Sequence, residues 1–159
     1  TGSNFAVNVK IYNNTLDAKQ LHLYVLRTGA GSSIDIKNNI WLAPPYTGIY
    51  IATTPGVTLD YNYYSQGNAT PLRWVNTAYS VAGFKTAALG EANYRSGTAN
   101  LNTDYTEKSV SDSIGHGTNL NSVFLIDRVG VARGTTWDMG AYEYPAATTP
   151  TPKIIIISN

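Results

Sequence analysis

A seven-residue pattern repeats along the first half of this chain. Val9-Lys10-Ile11-Tyr12-Asn13-Asn14-Thr15 returns as Ile34-Asp35-Ile36-Lys37-Asn38-Asn39-Ile40, and more loosely as Val57-Thr58-Leu59-Asp60-Tyr61-Asn62-Tyr63. The second Asn, at positions 14, 39 and 62, recurs after 25 and then 23 residues. A period in the low twenties with one short strand and one Asn per period marks a β-solenoid. A repeat of that size cannot bury its own apolar face and is stable only against its neighbours.

The strands are legible from alternation at period two. Phe5, Val7, Val9 and Ile11 fall on one face, with Asn4, Asn8 and Lys10 on the other. Ile34 and Ile36 alternate with Asp35 and Lys37, and Val57, Leu59 and Tyr61 with Thr58 and Asp60. A second strand lies between the echoes, at Leu21 to Leu26 and again at Gly48 to Ala52, with turns at Thr28 to Ser33 and Thr53 to Gly56. Asn suits the bends because it tolerates the left-handed backbone region. Its amide can also bond to the same Asn one rung away, so the recurrence predicts a ladder through Asn14, Asn39 and Asn62.

Helix signals are sparse. Ala78 to Asn93 offers one or two turns, broken by Gly83 and Gly90. The repeat fades from about Gln66, and irregular sequence runs to Asn121 before a short strand at Val123 to Ile126. The organisation expected is rungs and a cap over residues 1–145, a Thr/Pro linker at 146–152, and a β-prone tail at 153–159 containing Ile154 to Ile157.

Charged residues are 13% of the chain and the net charge is +1, against roughly 25% charged in an average domain. No basic stripe points to nucleic acid, and no apolar run is long enough for a membrane helix. There is no cysteine, so disulfides and thiolate metal sites are excluded. With 12 Tyr and 14 Gly, the profile is that of secreted β-rich proteins, and an extracellular or cell-surface location is expected.

The closing segment Asp127-Arg-Val-Gly130-Val-Ala-Arg133-Gly-Thr-Thr-Trp137-Asp138-Met139-Gly140-Ala141-Tyr142-Glu143-Tyr144 resembles the end of secreted right-handed parallel β-helix proteins, the pectate-lyase-like solenoids. Ser111 to Leu120 resembles the turn before that segment, departing at Asp112, Gly115 and His116. Leu59 to Tyr64, with Trp74 and Tyr79, resembles their last regular rungs. The resemblance implies an all-β, right-handed parallel β-helix of about three regular rungs with an irregular C-terminal cap. It implies a cap salt bridge between Arg133 and Asp138, with Trp137 and Tyr142 as plugs over the apolar end. It also implies an exposed N-terminal edge, where the preceding rungs of a longer chain or another subunit would stack.

Such proteins are often polysaccharide lyases or glycoside hydrolases. A lyase needs a base, for which Lys10, Lys37 and Arg73 are candidates, and a cation beside the uronate carboxylate. Lys10 and Lys37 read as equivalent outward positions, as do Asp35 and Asp60. The Asp pair leaves Ca²⁺ or an acid/base couple open, although solvated surface residues are the simpler reading of all four. No cofactor, metal site or catalytic set is otherwise expected. The aromatic residues Trp41, Tyr46, Tyr50, Tyr61, Tyr63, Tyr64 and Trp74 suggest a sugar groove walled by Ala43 to Tyr46 and Gln66 to Trp74. Parity assigns Trp41 and Tyr61 to the core and leaves Tyr50, Tyr64 and Trp74 outside. The carbohydrate-binding candidates are therefore Tyr50, Tyr64, Arg73, Trp74 and Lys37. Asn13-Asn14-Thr15 and Asn68-Ala69-Thr70 match the N-glycosylation pattern, the first being better explained by the ladder. Two functions follow: a noncatalytic extracellular part that binds polysaccharide or builds a surface assembly, or the C-terminal part of a lyase or glycosidase whose site lies mostly upstream.

Overall fold

In a strand every second side chain points to the same side, so the period-two stretches can bury one row and leave the other in water. A computed structural model of the chain describes residues 6, 8–18, 21–26, 30–43, 47–52, 56–65 and 69–144. The linker and tail expected at 146–159, the loop residues 44–46 and 66–68, and Asn68 lie outside the described residues.

The first repeat contributes β1 (Asn8–Tyr12), β2 (Thr15–Asp17) and β3 (Leu23–Val25). The second contributes β4 (Ser33–Lys37), β5 (Ile40–Leu42) and β6 (Ile49–Ile51). The third contributes β7 (Val57–Asp60), β8 (Tyr63–Ser65) and β9 (Leu72–Trp74). After them come β10 (Thr77–Tyr79), α1 (Val81–Thr86) and β11 (Arg95–Gly97). The strands assemble into three sheets, ordered β1-β4-β7, β3-β6-β9-β10 and β2-β5-β8-β11. All pairings are parallel except the β9–β10 hairpin. The chain is nearly all β, as the sequence predicts, and it carries three strands per repeat where alternation reveals two.

The inward rows of the three sheets form one core. Ile36, Ile49, Trp41, Leu59, Tyr64 and Leu72 are each at most 3% exposed. Trp41 is in the core, as its parity predicts. Val81 and Phe84 of α1 pack into the same cluster, and the Ser80 hydroxyl accepts from Gly83 N–H to cap the helix. Tyr61 does not follow its parity. It sits at φ +56°, like Asn13 at +50° and Asn38 at +55°, because the chain must turn left-handed at each of these bends. Its ring is half-buried in a second cluster instead.

Gly56 stands at a tight approach between repeats. Its φ is +72°, and a Cβ there would lie 1.9 Å from Ser32 O. Gly56→Ala is expected to cost about 2–4 kcal/mol, combining left-handed strain with a backbone clash. Urea unfolding measures this, and a near-neutral value would mean the turn can shift without loss.

The Asn ladder is present and directional. Asn14 donates its backbone N–H and its Nδ2 to Asn39 Oδ1, each at 3.0 Å. Asn39 does the same to Asn62 Oδ1, again at 3.0 Å. Glu91 ends the column: its Oε1 accepts from Asn62 Nδ2 at 2.7 Å and from Tyr64 hydroxyl at 2.5 Å. A carboxylate serves at this end because nothing beyond it needs a donor.

Several expectations are corrected. The pairing registers differ from one period to the next, by 25 and then 23 residues. Lys10 therefore lies opposite Asp35 and then Thr58, while Tyr12 lies opposite Lys37 and then Asp60. Lys10 and Lys37 are not equivalent, nor are Asp35 and Asp60; each pair is offset by two residues along its strands. The repeat does not end near Gln66, since β9 continues one sheet on β6 and β11 another on β8. Val123 to Ile126 is not a strand. Val123 and Phe124 turn back onto Leu120 O, leaving only an isolated bridge from Ile126 to Ala132.

The closing segment does not cover the last repeat. Glu91, α1 and β11 lie there, with Glu91 N–H on Leu59 O at 2.8 Å. Residues 98–144 instead flank the outer face of the β2-β5-β8-β11 sheet, where Ile40, Tyr63, Ala99 and Met139 cluster. The first Asn of each pair holds them. Asn13 Nδ2 donates to Asp138 O and Gly140 O at 2.9 and 3.2 Å. Asn38 donates to Thr118 O and accepts from Thr118 N–H, both at 2.8 Å. Arg133 pairs with Glu143 at 2.7 Å rather than with the Asp138 carboxylate, which instead takes N–H groups from Gly115 and Tyr144. Trp137 is fully buried against Phe124, whereas Tyr142 is only half-buried, beside Arg128.

Candidate functional site

With one outer face covered, two sheets present their outward rows to solvent. On β1-β4-β7 the centre is Asp35. Its carboxylate accepts from Tyr12 hydroxyl, from Lys37 at 2.9 Å and from Thr58 at 2.7 Å. Burial works to raise its pKa, but these hydrogen bonds and the Lys37 charge outweigh it and hold the group below the usual carboxylate value. Lys37 is thus occupied within its own sheet, away from the other candidate residues. Among the described residues no group of three or more His, Cys, Asp or Glu side chains could hold a metal ion.

The outward row of β3-β6-β9 is different in kind. The register sets Tyr24 beside Tyr50 and Tyr50 beside Arg73. The two rings stack at 4.8 Å with 17° between their planes, which matches the strand spacing. The Arg73 guanidinium lies 4.8 Å from the Tyr50 ring centroid. Tyr50 hydroxyl donates to Asn76 Oδ1 at 3.4 Å. Tyr24 is 48% exposed. Both faces of Tyr50 are therefore occupied, one by Tyr24 and one by Arg73. The row offers a ligand its edges, made of phenol hydroxyls and guanidinium N–H groups, plus the exposed part of the Tyr24 ring.

Of the five sequence candidates, the structure brings Tyr50 and Arg73 together. Tyr64 is 3% exposed, with its hydroxyl on Glu91, and cannot meet a glycan. Trp74 turns inward and packs edge-on against Phe84 at 5.2 Å. The reason is parity within each strand: Leu72 and Trp74 share the inward row that leaves Arg73 outside. Tyr24 was missed, although its position between Leu23 and Val25, echoed by Tyr50 between Ile49 and Ile51, carried the signal.

Of the strongly perturbed acids, Glu91 and Glu107 are buried and Glu143 is partly buried. Burial pushes Glu91 up to about 7 against the opposing hydrogen bonds from Tyr64 and Asn62. In the flanking segment Glu107, Asp127, Asp138 and Glu143 surround the single guanidinium of Arg133. Burial, reinforced by neighbouring carboxylates, lifts Glu107 to about 8 and Glu143 to about 7. Ser113 hydroxyl donates to Glu107, whose other oxygen is buried without a partner. Glu91, Glu107 and Asp138 are buried, while Asp127 and Arg133 line a recess together with Tyr12, Asn14 and Arg128. A polar recess lined by Lys85, Tyr94, Arg95 and His116 lies nearby, where Arg95 donates to His116 Nδ1 at 2.9 Å. Asp112 Oδ1 lies 3.8 Å from Nε2 of the same imidazole.

No known family model, curated protein or solved structure matches the chain.

Proposed function

We propose that this chain is a noncatalytic, extracellular polysaccharide-binding part of a surface protein, with its repeats wound as a right-handed parallel β-helix. The winding is supported by the parallel pairing of each strand with its counterpart one repeat on. The location is supported by the low charge and high Tyr and Gly content. The binding is carried by one observation: the solvent-facing row Tyr24–Tyr50–Arg73 on an otherwise short, regular sheet.

The ligand chemistry follows from what the row exposes. Stacked ring faces leave little surface for a sugar to lie flat upon. Hydroxyl and guanidinium edges hydrogen-bond to sugar hydroxyls, and Arg73 can hold a carboxylate. A carboxylate-bearing glycan fits these groups better than a neutral one. The reading as the C-terminal part of a polysaccharide lyase or glycoside hydrolase draws no specific support: of the perturbed acids, Glu91 is 0% and Glu107 6% exposed, and Glu143 is paired with Arg133.

Affinity electrophoresis in polygalacturonate and in a neutral glucan tests the proposal. Retention is expected in the acidic gel, and the Tyr24→Ala/Arg73→Ala variant is expected to lose it by about tenfold, the effect of one or two lost charge-assisted contacts. Equal mobility of the variant and the parent chain in both gels would sink the assignment.

A further inference from the structure

The two ends of the stack differ chemically. At the Glu91 end the ladder terminates in an acceptor buried beneath α1 and β11. At the other end the described residues leave β1, β2 and β3 as outer strands, each paired on one side. The inward side chains there are incompletely covered. Val9 is 38% exposed while its neighbour Ile34 is 8%. Ile11, Leu16 and Leu23 are partly buried, whereas Ile36, Trp41 and Ile49 beside them are at most 1% exposed. Two columns also stop short. The Tyr24 ring, stacked on Tyr50 on one face, is 48% exposed. Asn14 is exposed, and its Nδ2 hydrogens already have acceptors, Tyr12 O at 2.9 Å and Asn39 Oδ1 at 3.0 Å. What Asn14 offers outward is its Oδ1, an acceptor.

We propose that this end is a docking surface for a β-repeat of the same kind, stacked in the same direction, whose bend Asn donates its backbone N–H and Nδ2 to Asn14 Oδ1. Each internal step of the ladder has that polarity. The incoming repeat would also set a planar side chain on Tyr24 and cover Val9, Ile11, Leu16 and Leu23. A second copy of this chain does not meet the requirement. Its Glu91 end is covered and presents an acceptor. Its Asn14 end, brought up about a two-fold axis, opposes one acceptor with another. The ladder polarity and the apolar edge carry this inference without the glycan reading, and the two meet only at the Tyr24 ring, which a docked repeat would cover.

A chain with a duplicate of residues 8–32 inserted ahead of Asn8 supplies such a repeat in register. Its Tm is expected to rise by at least ~5 °C over the parent chain. The same insert carrying Asn14→Asp in the duplicate, which removes the Nδ2 donor, is expected to lose at least half of that gain. An insert that leaves Tm unchanged, or that abolishes the far-ultraviolet strand signal, overturns the proposal. The unmodified chain is expected to sediment as a monomer at micromolar concentration; a two-fold dimer there overturns it in favour of self-association.

Discussion

Asn39→Ala is expected to destabilise the fold by about 3–5 kcal/mol, lowering Tm by roughly 10 °C in a chain of this size. Asn39 is 0% exposed. Its Nδ2 reaches Ile11 O at 2.8 Å, Lys37 O at 3.0 Å and Asn62 Oδ1 at 3.0 Å, and its Oδ1 accepts from Asn14. Truncation removes the side-chain donor to Ile11 O and the acceptor for Asn14, while Lys37 O keeps the Asn13 N–H at 3.1 Å, and the cost of unsatisfied buried groups exceeds that of the bonds alone. Asn39→Asp is expected to be worse, since it sets an acceptor against Asn62 Oδ1. Asn14→Ala, at the exposed end, is expected to cost only ~1 kcal/mol because water replaces its partners. Thermal unfolding of the three variants separates these values. Equal losses for Asn14→Ala and Asn39→Ala would mean the ladder contributes no more at its centre than at its rim.

Folding stability is expected to fall as pH rises from about 5 to 8. Glu91, Glu143 and Glu107 all have native pKa values above the ordinary carboxylate value, at about 7, 7 and 8. The native state therefore binds more protons than the unfolded chain between pH 4.5 and those values. The contribution is fully present below the unfolded pKa and is lost as pH climbs through the native one. For Glu91 alone, the loss is on the order of 3 kcal/mol. Glu91→Gln keeps an acceptor for Asn62 Nδ2 and Tyr64 hydroxyl but cannot ionise. It is expected to flatten the pH dependence and to raise Tm at pH 8.5 above that of the parent chain. Denaturant midpoints at pH 5, 7 and 8.5 measure both effects. A midpoint for the parent chain that rises with pH would show that these carboxylates are ionised without penalty in the native state.

Much of the fold was legible in short stretches. Alternation marked β1, β4 and β7, and the spacing of Asn14, Asn39 and Asn62 marked the ladder, because both depend on residues adjacent in sequence or one period apart. The third strand of each repeat was not legible: Thr15–Asp17 and Ile40–Leu42 are three residues long and follow a bend directly, too short for periodicity to register. The candidate site divided in the same way. Tyr50 and Arg73 face outward as strand parity allows, and the same parity turns Trp74 inward with Leu72, whereas Tyr64 follows the left-handed bend at Tyr61, which breaks the alternation carried over from β7.

Adjacent asparagines mark where the two kinds of information part. Backbone tolerance and recurrence are properties of the residues themselves, so Asn-Asn at a bend and a column of stacked amides follow from the chain order alone. That Asn13 and Asn38 would grip a segment some 80 to 127 residues away, that this segment would lie along the side of the stack, and that a glutamate would close the column were settled by long-range packing. Hydrogen-bonding capacity is a local property, but the partner that satisfies it is whichever group the folded chain brings within 3 Å.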